Sequence, residues 1–247
     1  MDSSAPLVLV RDLHYRYEDG TIALDGVNFT LEQGETVALL GPNGSGKTTF
    51  VLQLNGVLCG TGTITVCGLE LTKQTLPQIR SKVGMLFQDS DEQLFMPTVL
   101  EDVAFGLLNQ GSSQEQAVEK AKSALEGAGI GQLWNRAPYH LSAGEKRLVA
   151  LAGVLAMEPE ILVFDEPTTF LDPPAERKLL QLLRSLPQAK LIVTHNVHLA
   201  QQLATRAVFF EKGKLVANGS VEEIARRFEW SYSDLPADLR YSAQRRF

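Results

Sequence analysis

The chain predicts an α/β fold with a largely parallel sheet, and three observations predict it. Short apolar runs rich in aliphatic and β-branched residues recur along it. Helical stretches lie between several of those runs. From about Ser90 to Glu158 the strand signal disappears and helix takes over, as an α-helical sub-domain inserted into an α/β core would read.

The expected strands, in order, are Leu7–Val10, Thr36–Leu40, Val83–Phe87, Ile161–Phe164, Leu191–Thr194 and Ala207–Phe210. Each is bounded by Gly, Pro, Asp or a charge, the punctuation of a buried strand. The expected helices are Gln114–Glu126, Glu145–Met157 and Ala175–Leu186. No repeat with a period of roughly 20–50 residues is visible. After Phe228 the periodicity fades into Trp230, Tyr232, Asp234, Pro236 and a basic end, Arg240, Arg245 and Arg246. A docking segment and a loose end both fit, and the loose end is the expectation because termini are often poorly ordered.

Bulk properties narrow the class. A chain of 247 residues suits one large domain or a core with a sub-domain. With 44% hydrophobic and 21% charged residues, collagen-like, coiled-coil and wholly disordered readings are excluded. The net charge of −6 speaks against nucleic-acid binding by charge, so no nucleic-acid partner is expected. Cys59 and Cys67 lack paired metal spacing and read as free thiols in a reducing compartment. Met1 to Pro6 carries no basic start and no apolar signal core. The longest apolar stretch, Leu148 to Met157, falls short of the roughly 18 residues of a membrane span. A soluble chain is expected, with any membrane role exercised through a partner.

The chemistry begins at residues 41–48, Gly41-Pro42-Asn43-Gly44-Ser45-Gly46-Lys47-Thr48, which match G-x-x-x-x-G-K-[ST] in full. A buried strand precedes the motif and a helix, Thr49–Leu54, follows it. Glycines let the loop expose consecutive backbone N–H groups to phosphate oxygens, and the helix N-terminus adds positive partial charge. Lys47 would reach the β- and γ-phosphates, and the Thr48 hydroxyl would ligate Mg²⁺. The loop alone leaves small-molecule kinase, GTPase and ATPase open. Ile161–Glu166 adds a buried strand ending in two acids: Asp165 suits a water-mediated grip on Mg²⁺, and Glu166 can polarise an attacking water as general base.

Leu141-Ser142-Ala143-Gly144-Glu145 resembles the LSGGQ signature of ATP-binding-cassette ATPases, and it lies just before the aspartate–glutamate strand, as in that family. The resemblance runs from about Leu7 to Ile224. It implies a P-loop NTPase, RecA-like core with an N-terminal antiparallel β part, in one ATPase domain over 1–228 followed by a tail over 229–247. Tyr17 resembles the aromatic residue that stacks on adenine, with Tyr15 a competing candidate. Gln88 resembles the Q-loop glutamine, which contacts Mg²⁺ and water and faces the transport partner. Leu171-Asp172 resembles the D-loop. His195 resembles the switch histidine at the γ-phosphate, and it sits at a strand's C-terminal end, where α/β proteins place ligand contacts. Thr49 joins the implied nucleotide-binding set.

In the family, the signature serine and glycine, here Ser142 and Gly144, contact the γ-phosphate of ATP bound to the opposite subunit. The resemblance thus implies a second ATPase subunit, identical or a sister, with ATP at the interface. Four departures stand out: Ala143 for the first glycine, Glu145 for glutamine, Leu148 where arginine is common, and the bulky Phe170 before Leu171-Asp172. They bear on the speed of turnover rather than its existence.

Phe87–Phe95, continuing through Met96-Pro97-Thr98-Val99 to Gly106, is similar to the Q-loop region of energy-coupling-factor importers. Leu148–Pro159 is similar to the cobalt and nickel branch. The expectation is an ATPase that energises such an importer with ATP and Mg²⁺. It would sit peripherally on the cytoplasmic face of the membrane, with integral membrane subunits docking near Gln88–Phe95. A vitamin importer and a soluble cassette ATPase, as in iron–sulfur assembly, are the alternatives. A small-molecule kinase leaves Ser142, Gly144 and His195 unexplained.

Overall fold

The computed structural model describes residues 5–230. The elements run β1 (Val8–Arg16), β2 (Ile22–Leu31), β3 (Thr36–Leu40), α1 (Lys47–Gln53), β4 (Thr61–Val66) and β5 (Leu69–Glu70), then α2 (Leu76–Lys82) and β6 (Val83–Leu86). Next come α3 (Val99–Asn109), α4 (Gln114–Gly127), α5 (Ala143–Ala156), β7 (Ile161–Asp165) and α6 (Pro173–Ser185). The described chain closes with β8 (Ala189–Val193), α7 (Val197–Leu203), β9 (Arg206–Glu211), β10 (Lys214–Gly219) and α8 (Val221–Arg227). It divides into two compact units, one formed by the residues up to Leu71 with those from Leu191 onward, the other by Thr72–Lys190.

The first unit holds an antiparallel sheet in the order β2-β1-β4-β5. β1 pairs β2 from Val8↔Leu31 to Arg16↔Ile22, and the first of its register shifts, between Val10 and Leu13, spans Asp12, whose φ is +47°. Val8, Val10 and Leu13 point inward while Arg11, Asp12 and Arg16 face water. That outward polar face is why only Leu7–Val10 stood out as a strand. The same unit carries strands in the order β10-β9-β3-β8. β3 runs parallel to β9, and β10 is an antiparallel edge strand. All five residues of β3 are buried, as expected of a strand covered on both faces. Ala38, Leu40, Ala200, Phe209, Val221 and Ile224 belong to one core cluster, against which Phe228 and Trp230 pack.

In the second unit β6 and β7 pair in parallel, Val83↔Ile161 through Leu86↔Phe164. Between them the described residues contain α- and 3₁₀-helix and no strand. Capping boxes start three of its helices: Thr98 with Glu101, Ser113 with Gln116, and Ser142 with Glu145. α5 lies close on β6, since a Cβ on Gly84 would stand 2.4 Å from Val154 Cγ1. Among the described residues no helix is long and apolar enough to cross a membrane.

Candidate functional site

The phosphate-loop candidate leaves the buried end of β3. Gly41 has φ +136°, and a Cβ there would come within 2.2 Å of the Phe210 carbonyl oxygen. Gly46 has φ +106°, and its Cβ would come within 2.4 Å of the Ala23 carbonyl oxygen. No L side chain fits at either position, so the glycines belong to the turn itself. Gly46 caps α1, whose first residue is Lys47. Lys47 is buried, and its ammonium donates to the Gly41 carbonyl at 2.8 Å and the Pro42 carbonyl at 2.9 Å. The cation thus sits inside the curl of residues 41–46, which an anion on the loop would face.

Two other candidates belong to this unit. The Tyr17 hydroxyl is 2.9 Å from Thr49 Oγ1, while Tyr15 meets Tyr17 edge-on at 5.0 Å. Tyr17 is therefore the tyrosine tied to α1. His195 follows β8, the neighbour of β3 in the strand order, and the Thr194 N–H donates to the Leu39 carbonyl at 3.2 Å. That pairing brings His195 beside the start of the phosphate loop. The His195 carbonyl accepts from Trp230 Nε1 at 3.2 Å. Trp230 lies edge-on to Phe209, on which Phe228 stacks at 3.8 Å. So the residue expected to open a loose end instead braces the backbone of the histidine; Tyr232 and the later tail residues lie outside the described ones.

In the second unit β7 ends at the buried Asp165. Glu166 follows with φ +46°, a left-handed conformation uncommon for a non-glycine residue and a form of strain that collects at functional sites. Phe170 repeats it with φ +64° and is 79% exposed, an aromatic side chain on a glycine-like backbone. Asp172 caps α6, accepting from the Ala175 N–H at 2.8 Å. Ala175 also faces the signature candidate: a Cβ on Gly144 would lie 2.7 Å from Ala175 Cβ. The starts of α5 and α6 thus touch, which brings Ser142 and Gly144 to the turn that carries Asp172.

Ser142 donates from both N–H and hydroxyl to Glu145 Oε2, each at 2.8 Å, and accepts from the Glu145 N–H at 3.3 Å. The Ser142 N–H, then its hydroxyl, hold the Glu145 carboxyl below its ordinary value. Glutamate in place of glutamine therefore keeps the cap and adds a charge.

Gln88 is exposed at the end of a backbone held by side chains that sequence reasoning missed. Arg147 donates to the carbonyls of Phe87 and Gln88. Gln93 accepts from the Phe87 N–H and donates to the Met85 carbonyl, both at 3.0 Å. Asp102 accepts from the N–H groups of Phe95 and Met96, and burial raises its carboxyl above the ordinary value. Lys146 pairs with Asp91 at 2.5 Å. One signal was available for Arg147, the second of two cations, Lys146 and Arg147, that stand directly before an apolar helix run.

Thr48 in the first unit and Asp165 in the second each carry an oxygen, hydroxyl and carboxylate, of the type that a hard cation such as Mg²⁺ takes. No group of three His, Cys, Asp or Glu among the described residues could hold a metal ion.

Residues 24–169 match the ABC transporter family. The chain belongs to this family. A putative ABC transporter ATP-binding protein of Gloeobacter violaceus is 51% identical over 89% of this chain and 91% of its own length. The energy-coupling factor transporter ATP-binding protein EcfA of Methanothermobacter thermautotrophicus is 45% identical, covering 90% of this chain and 74% of its own. Among solved structures, cbiO1 of Clostridium perfringens, described as part of the ABC transporter complex cbiONQ, superimposes with a TM-score of 0.81. It is 33% identical, over 92% of this chain and 93% of that one. The chain is thus an ABC ATPase with the P-loop NTPase fold, it binds and hydrolyses ATP, and its relatives include the energy-coupling-factor branch.

Proposed function

We propose that this ABC ATPase energises a membrane importer of the energy-coupling-factor type, with cobalt or nickel ions as cargo. The observation that carries the reading is the likeness at both levels: 45% identity to an EcfA protein and a TM-score of 0.81 to cbiO1. The protein would lie on the cytoplasmic face, bound through membrane subunits that dock near Gln88–Phe95. There Phe95 is 63% exposed and meets Phe105 of α3 edge-on at 5.0 Å, an apolar anchor beside the exposed Glu92.

In the reaction, residues 41–46 cradle the phosphates through backbone N–H groups, and Lys47 and Thr49 belong to the same contact set. Lys47 exchanges its loop carbonyls for the β- and γ-phosphate oxygens. Tyr17 stacks on adenine. Thr48, Gln88 and Asp165 would hold Mg²⁺, which when bound would neutralise charge on the phosphates. Glu166 takes the proton of the attacking water, and His195 orients the γ-phosphate. A second ATPase subunit, a copy of this chain or a sister, supplies Ser142, Gly144 and Asp172 across the interface, so ATP closes the pair and hydrolysis releases it.

The test is affinity purification of the tagged chain from membranes, followed by ⁵⁷Co²⁺ and ⁶³Ni²⁺ uptake in vesicles of the purified complex. ATP-dependent uptake of either ion is expected. Copurification with membrane subunits but no ion uptake would move the cargo to a vitamin. Recovery of the chain with soluble partners alone would overturn the importer reading.

A further inference from the structure

Arg147 is 3% exposed, and burial holds its guanidinium below the ordinary value while Asp89 opposes the shift. Its Nε finds no hydrogen-bond partner, and its remaining nitrogens donate to two consecutive backbone carbonyls, those of Phe87 and Gln88. A cation withdrawn from water carries a desolvation cost that two neutral acceptors offset only in part. An apolar side chain of similar volume would fill the same space without that cost. What the arginine adds is a grip on the peptide from which the Gln88 side chain starts.

The surroundings extend the grip. The Gln93 amide bridges Met85 and Phe87, Asp102 holds the amides of Phe95 and Met96, and Lys146, next to Arg147, pairs with Asp91. The segment after β6 is thus pinned by side chains at both ends and to α5 in between. α5 is also the helix that begins at the Ser142 cap and carries Gly144.

We propose that Arg147 is a positioning residue for Gln88, coupling the segment that carries Gln88 to the helix that carries Ser142 and Gly144 so that the two shift together. The proposal rests on the reading of Gln88 as the residue that meets the Mg²⁺-bound nucleotide and faces the membrane partner. Partner docking at residues 88–95 would then reach the composite ATP site through the guanidinium rather than through Gln88 alone.

A double-mutant cycle on the full chain, with Arg147→Met, Gln88→Ala and their combination, tests it by steady-state ATP hydrolysis. Arg147→Met should lower kcat about tenfold or more while KM for ATP stays within about threefold, because the phosphate loop is untouched. If Arg147 acts through Gln88, the double variant should turn over no more slowly than Gln88→Ala alone. Arg147→Lys, which keeps the charge but not the fork, should fall between parent and Arg147→Met, and it serves if the methionine variant misfolds. Lys146→Ala leaves both guanidinium bonds in place and should stay within about twofold of the parent. Losses that multiply in the double variant, or an Arg147→Met enzyme at the parent rate, overturn the positioning role while leaving Gln88 its own. Gln88→Ala at the parent rate overturns the reading of Gln88 and the proposal with it.

Discussion

Lys47 is a buried ammonium satisfied by carbonyl oxygens of its own loop, so its removal acts on stability and on chemistry. Lys47→Ala takes the ammonium donor from the buried Gly41 carbonyl, at a cost of about 1–3 kcal/mol, while the Pro42 carbonyl keeps the Ser45 N–H at 3.2 Å; it would also take away the point charge on the β- and γ-phosphates. Phosphate release should drop by more than about a hundredfold and ATP affinity should fall with it, as read by nucleotide titration on protein whose circular dichroism shows it folded. Parent-level turnover would remove residues 41–48 from the ATP site. Glu166→Gln separates binding from chemistry. The amide has nearly the volume of the carboxylate and keeps the side chain on the same left-handed backbone, at φ +46°, but it takes no proton from water. ATP should still bind, gel filtration with ATP should show a stable dimer, and turnover should fall roughly 10²–10⁴-fold. Full turnover in that variant would exclude Glu166 as the base.

Among the elements, α5 joins sequence to site most directly, because one cap orients the signature and starts the helix. Glu145→Ala removes the returning half of the capping box and should cost about 1 kcal/mol at pH 7 by urea denaturation. The pH dependence has a definite sign. The folded carboxyl titrates below its unfolded value of 4.5, so its contribution is fully present above pH 4.5 and is lost as pH falls through the lower, folded value. The parent and Glu145→Ala stabilities should therefore converge in acid, and a gap unchanged down to pH 3 would rule out the carboxylate as its source. The elements also show the limits of periodicity. Thr36–Leu40 coincides with β3 because a strand buried on both faces reads as an unbroken apolar run. β2 and β10, half-exposed and alternating through polar residues, carried too little contrast to be read as strands.

Assembly is the business of the whole molecule. Glu92 and Phe95 are exposed, whereas Asp91 is engaged by Lys146, so under the proposed docking near Gln88–Phe95 the first pair would be offered to the membrane subunit. Glu92→Lys combined with Phe95→Ser should reduce copurification with the membrane subunits by about tenfold or more, while ATP affinity of the isolated chain stays at the parent value. Unaltered assembly and uptake would place the docking surface elsewhere. Charge reversal at Asp91 tests less cleanly, since it sets two ammonium groups against each other inside the chain.

By itself the sequence determined which runs are candidates for the chemistry: the phosphate-loop motif at 41–48, the acidic strand end at Asp165-Glu166 and the signature-like run at 141–145. Each is a contiguous run whose residue types follow from local demands, such as glycine at Gly41 and Gly46, whose φ values of +136° and +106° disfavour any L side chain. Tertiary structure alone decided which distant side chains hold those runs in place. Tyr17 on Thr49, Trp230 on the His195 carbonyl and Arg147 on the carbonyls of Phe87 and Gln88 join positions 32, 35 and about 60 residues apart. No periodicity encodes such pairs, because hydrophobic spacing reports which face of an element is buried and not what that face meets. Only when strands pair and helices pack do an arginine on α5 and a peptide after β6 become neighbours.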